Sequence, residues 1–106
     1  MLLKGLTANQ GIFSGKAKIV KSVEDIEKVE QGDVMVVKTS SPAFANGLFK
    51  AGALVSESGG TLFHLAILAR EVGLPCVTGI ENATTIIKDG DMLKVRAVEG
   101  GEVYVG

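Results

Sequence analysis

Three short apolar runs, Val34-Met35-Val36-Val37, Ala53-Leu54-Val55 and Cys76-Val77-Thr78, constrain this chain most. They are unbroken, whereas a strand with one face in water alternates apolar and polar residues. They therefore read as buried strands, and buried strands need layers on both sides. The stretches between them supply helix signals. Pro42 follows Thr39-Ser40-Ser41 at a helix start, and the segment it opens turns Phe44, Leu48 and Phe49 inward before stopping near Gly52. A second helix runs from about Leu62 to Val72 and is almost wholly apolar, so packing on several sides is expected. Gly73 and Pro75 are its stop signals.

Strands flank this middle part. Lys16 to Lys21 alternates and reads as a half-exposed strand, and Ser22 caps a short helix with Glu24 and Asp25 in its first turn. Asn82 to Ile87 is either a short helix or a turn. Met92–Ala97 and Glu102–Val105 form a hairpin through Gly100-Gly101. The expectation is one layered α/β domain over residues 1–106, with roughly three helices and six or seven strands.

Composition excludes several function classes. Lys plus Arg (11) nearly balances Asp plus Glu (12), so no broad field attracts nucleic acid or an anionic membrane. No apolar stretch approaches the roughly 20 residues that span a bilayer. The single cysteine, Cys76, forms no internal disulfide, which fits a reducing cytoplasm, and its apolar strand makes it a core residue. One histidine without a cysteine or carboxylate cluster is too few ligands for a metal site. Gly11 to Lys16 has the outline of a phosphate-binding loop. It is one residue short, however, and Ala17 stands where that loop needs Ser or Thr.

The segment that carries chemistry is Gly59-Gly60-Thr61-Leu62-Phe63-His64-Leu65-Ala66-Ile67-Leu68-Ala69-Arg70-Glu71. His64 falls in the first turn of a helix, where backbone N–H groups lack intrahelical partners and the dipole favours negative charge. Gly59 and Gly60 let backbone approach an anion closely, and Thr61 is a candidate N-cap. Imidazole is the side chain whose ordinary titration range spans cell pH, so a neutral, nucleophilic ring is available. Pattern alone also permits a structural histidine. Arg70, six residues on and on another helix face, is either a phosphate contact or a packing and ion-pair residue at the helix end. Glu71 lies two turns from His64 and reads as solvated.

The run Gly59-Gly60-x-x-x-His64-x-Ala66-Ile67-Leu68-Ala69-Arg70-Glu71-x-Gly73-Leu74-Pro75-Cys76-Val77-x-Gly79 resembles the phosphohistidine signature of the phosphoenolpyruvate-utilising enzymes. That family includes phosphoenolpyruvate synthase, pyruvate phosphate dikinase and enzyme I of the sugar phosphotransferase system. The likeness extends over nearly the whole chain. Gly5 to Gly11 with Gly15-Lys16-Ala17 is similar to the family domain's opening, and Gly32 to Val37 with Thr39 to Pro42 to its next strand and turn. Asn82-Ala83-Thr84, Lys88 to Asp91 and Gly101 to Tyr104 are similar to its closing part.

The resemblance implies a swivelling β/β/α phosphohistidine domain with His64 phosphorylated on Nε2. Gly59, Gly60, Thr61 and Arg70 are the phosphate-binding candidates. It implies no cofactor in this chain. Mg²⁺ and ATP are expected on partner domains, one nucleotide-binding and ATP-grasp-like, the other binding phosphoenolpyruvate or pyruvate. The sequence departs from the family at Leu62 and Phe63, where Thr and Ser are usual, and at Leu65, where Ala or Ser is usual. These departures support the alternative of a phosphotransfer-inactive homologue acting as an interaction or regulatory module.

Overall fold

A computed structural model of the chain describes residues 1–39, 41–59 and 64–106. The three buried runs become β4 (Val34–Val37), β5 (Ala53–Ser56) and β6 (Cys76–Thr78). They pair in parallel with one another and with the second half of β3 (Gly11–Val20). The first half of β3 pairs antiparallel with β7 (Met92–Ala97), which pairs with β8 (Glu102–Val105), which pairs with β1 (Leu2–Lys4). On the far edge β2 (Leu6–Asn9) runs antiparallel to β6. The strand order is β1-β8-β7-β3-β4-β5-β6-β2.

The unbroken runs are explained by what covers each face. Val34, Val36, Val55 and Val77 pack against Val95 and Val103 of the antiparallel wing. Met35, Val37, Leu54 and Cys76 point the other way, into a second core shared with Leu48, Leu65, Ala66 and Ala69. Side chains alternate across a strand, so an apolar residue at every position means that both faces are dry. The layers are sheet, sheet and helices, the β/β/α arrangement expected. Cys76 is fully buried, and burial pushes its thiol up to about 12.

Several expectations need correction. The described residues form eight strands, not six or seven, because β1 joins the sheet beside β8 and β2 beside β6. The strand expected from Lys16 begins at Gly11, and its upper end is covered on both sides, so Ile19 and Val20 are both buried. The segment opened by Pro42 is a 3₁₀ helix, Pro42–Phe49. Phe44 and Leu48 are buried in it, but Phe49 is 72% exposed. A 3₁₀ helix has three residues per turn, so Phe49 shares a face with the exposed Ala43 and Asn46. The region Asn82 to Ile87 resolves into one helical turn, α3 (Ala83–Ile86), after α1 (Val23–Ile26) and α2 (His64–Val72) earlier in the chain.

Candidate functional site

The parallel strands end together, and in sheets of this kind ligands bind outside the carboxyl ends. Beyond β5 the chain runs through Glu57, Ser58 and Gly59 toward α2. Two neighbours clamp this exit. Ser58 donates its backbone N–H (3.0 Å) and its Oγ (2.7 Å) to the Lys38 carbonyl beyond β4. The Ser58 carbonyl accepts from Gly79 N beyond β6 (3.1 Å) and from Ser56 Oγ (3.1 Å). Gly59 is exposed, and among the described residues a Cβ there would meet only Gly79 Cα, at 3.7 Å.

Helix α2 is described from His64 onward. Its buried stripe is Leu65, Ala66 and Ala69, while His64, Ile67 and Glu71 form an exposed face. The expectation of packing on several sides is corrected here: Ile67 and Val72 are each 43% exposed. Glu71 is exposed, as read from the sequence. Leu65 is wholly buried among the helix-layer core, which accounts for a large apolar residue next to the histidine. The far end of α2 is pinned to β2. Arg70 donates to the Ala8 carbonyl (3.2 Å), and Asn9 donates through Nδ2 to the Leu74 carbonyl (2.8 Å). Arg70 thus engages β2 about 9 Å along the helix from His64. Gly60 and Thr61, with Leu62 and Phe63, lie outside the described residues.

Sequence reasoning missed the hydroxyls behind this edge. Ser56 and Thr78, the last residues of β5 and β6, are both fully buried. The signal was present, since a hydroxyl residue closes each of two otherwise apolar runs. Among the described residues, Thr78 Oγ1 is the buried side-chain oxygen without a hydrogen-bond partner. An unsatisfied buried hydroxyl costs on the order of 1–3 kcal/mol. Thr78→Val is therefore expected to raise the unfolding free energy by about 1 kcal/mol, read by urea denaturation. A loss of stability instead would show that the hydroxyl is bonded in solution.

Glu57 is the ionisable group nearest the exit. Burial pushes its carboxyl up, but two bonds from Thr84, N–H and Oγ1, to Oε2, with the Lys38 charge, outweigh burial and hold it below its ordinary value. The sign follows: its contribution to stability is complete above the ordinary value of 4.5 and is lost as pH falls through the lower folded value. Glu57→Gln should flatten that acid limb of the stability–pH curve. An unchanged limb would place the titration elsewhere.

Among the described residues, no helix is long and apolar enough to cross a membrane, and no three or more His, Cys, Asp or Glu side chains converge as metal ligands would.

Residues 29–100 match the family described as PEP-utilising enzyme, mobile domain. A probable phosphoenolpyruvate synthase of Archaeoglobus fulgidus is 43% identical over 106 residues, all of this chain and 14% of that protein. A rifampicin phosphotransferase of Bacillus subtilis is 38% identical over 96 residues, 91% of this chain and 11% of that protein. The chain therefore spans about one-seventh or less of the length of these relatives. Among solved structures, the solution structure of an Enzyme I protein aligns with TM-score 0.64 and 28% identity, over 76% of this chain and 33% of that one. Aconitase X of Thermococcus kodakaraensis shares the fold, with TM-score 0.74 at 18% identity, over 100% of this chain and 98% of that one.

Proposed function

Because this chain belongs to the mobile-domain family of the PEP-utilising enzymes, we propose that it is the phosphoryl carrier of such an enzyme, with His64 as the acceptor. One observation carries the reading. The only histidine is exposed as the first described residue of α2, five residues along the chain from the clamped exit that ends at Gly59.

In the proposed step the lone pair of His64 Nε2 attacks the donor's phosphorus. A P–N bond forms as the P–O bond to the leaving group breaks, and the electron pair leaves with that oxygen. Transfer to the acceptor reverses this. Such chemistry depends on positioning and charge neutralisation. Helix-start amides and the backbone of Gly59, Gly60 and Thr61 are the donors proposed for the phosphoryl oxygens. Arg70 as a phosphate contact would have to release the Ala8 carbonyl. In this reading it instead holds the far end of α2 in place.

The donor and acceptor sites, with ATP and Mg²⁺, belong to a nucleotide-binding domain and a phosphoenolpyruvate- or pyruvate-binding domain. The carrier swivels between them, and the unpaired buried thiol suits a cytoplasmic setting. The test is incubation with a cognate nucleotide-binding domain, ATP and Mg²⁺, read by intact-protein mass. Gain of one phosphoryl group, labile in acid and stable in alkali, is the expected result. A folded chain that gains none from a donor that phosphorylates a relative's domain would point to the interaction-module alternative.

A further inference from the structure

Beside the β5 exit, the ends of β3 and β4 and the turn of α3 border an open pocket of about 550 Å³, with Val20 and Phe44 at its apolar part and Lys21, Lys38, Lys88, Thr39, Thr84 and Thr85 as its polar lining. We propose that this pocket is a second anion site, taking a small phosphate-bearing molecule, distinct from His64.

Charge is the first argument. All three lysines are exposed. Among the described residues, the ion pairs are Lys18–Asp89, Lys28–Asp25 and Arg96–Glu102, and none uses a pocket lysine. The carboxylates nearby are otherwise engaged. Asp25 accepts from the Lys21 and Ser22 amides and faces Lys28. Asp89 accepts from the Ile19 amide and from Lys18. Glu57 accepts twice from Thr84, and the Lys38 charge stabilises its carboxylate. Counted with their own partners, five ammonium groups (Lys18, Lys21, Lys28, Lys38 and Lys88) stand against three carboxylates (Asp25, Glu57 and Asp89), a positive excess of about two, close to the charge of one phosphate group near neutral pH.

The second argument is the donor set. Each ammonium offers three N–H donors as a compact charge. Lys88 Nζ spends one on the Thr85 carbonyl (2.9 Å), which fixes its direction without using its charge. Thr39 and Thr85 add hydroxyls. A concave wall of ammonium and hydroxyl groups suits a compact ligand with several oxygens. The volume exceeds that of a bare anion and lies in the range of about 300–1,000 Å³ typical of small-molecule sites. The third argument is place: the Lys38 carbonyl is held by Ser58, so the pocket and the exit toward His64 share a wall.

The inference does not depend on His64 being a carrier, and the test separates the two. The ¹⁵N-labelled chain is titrated with inorganic pyrophosphate, inorganic phosphate and AMP at low and at high salt. Saturable amide shifts are expected at Lys38, Thr39, Thr84 and Thr85, weakening with salt as screening grows. Lys38→Gln with Lys88→Gln should weaken binding by about tenfold or more, the loss expected for charge-assisted hydrogen bonds. His64→Ala should leave it unchanged. AMP binding more tightly than phosphate would support the site and identify an organic phosphate as ligand. Phosphate binding at least as tightly would support it with the bare anion as ligand. Shifts spread equally over Lys4, Lys16 and Lys94, shifts indifferent to the double substitution, or shifts lost with His64→Ala would each overturn the proposal. Single Lys38→Gln serves if the double variant does not fold.

Discussion

The His64→Ala chain is expected to take up no phosphoryl group from a donor that labels the parent chain, while unfolding at nearly the same denaturant concentration. The chemical loss is complete because no other histidine exists to substitute. The structural effect is small because the imidazole is exposed and the helix is held by Leu65, Ala66 and Ala69. Alanine is also the better helix former, so stability should shift by no more than about 0.5 kcal/mol. Transfer lost together with the fold would make the histidine structural. Acid-labile phosphate retained on the variant would put the acceptor elsewhere and remove His64 from the proposed role.

Gly5→Ala should be strongly destabilising, because the added methyl meets buried backbone rather than a movable side chain. Gly5 alone separates β1, in the antiparallel wing, from β2, on the parallel side, and its N–H bonds the Gly101 carbonyl (2.9 Å). A Cβ there would fall on the Thr78 carbonyl oxygen and lie 2.8 Å from Ile80 Cγ1. The oxygen belongs to the backbone of a fully buried strand, so it has no rotamer by which to yield. Overpacking of this kind costs typically 1–3 kcal/mol and occasionally more; about 3 kcal/mol or above is expected here, a large share of a small domain's 5–15 kcal/mol. Gly90→Ala is the control. Nothing lies within 4 Å of its Cβ position, and only its φ of +89° opposes a side chain, at a cost of roughly 1–2 kcal/mol. Equal urea midpoints for the two variants would mean that the Gly5 corner is looser than the structure has it.

What the sequence made legible was what neighbouring residues decide. The unbroken runs in β4, β5 and β6 report two covered faces, Gly73 and Pro75 mark the end of α2, and Gly100-Gly101 marks the β7–β8 turn. The strands β1 and β2 escaped because pairing from far away makes them strands: Leu2 lies against Tyr104 and Leu6 against Thr78. No local pattern records that. Phe49 was misplaced because hydrophobicity does not state the helical period, and three residues per turn put it outside. At the site, His64 and Gly59 were readable from one contiguous motif. The clamp around Ser58, the buried pair Ser56 and Thr78, and the lysine pocket were not, since topology assembles them from residues 21 to 88.

The long strand β3 has a consequence for how the molecule comes apart. Gly11 to Lys16 sets the alignment of β7 on one side, and Ala17 to Val20 sets that of β4 on the other. A slip of one residue in a strand turns every side chain to the opposite face. Here such a slip could not be confined to one sheet: moving β3 against β7 would expel Ala17 and Ile19 from the core they share with Val34 and Val36. The two sheets therefore have one register between them, fixed by a single ten-residue strand. Errors of alignment in either are penalised in both, and amides on the two sides of β3 should lose hydrogen-exchange protection as one cooperative unit rather than sheet by sheet.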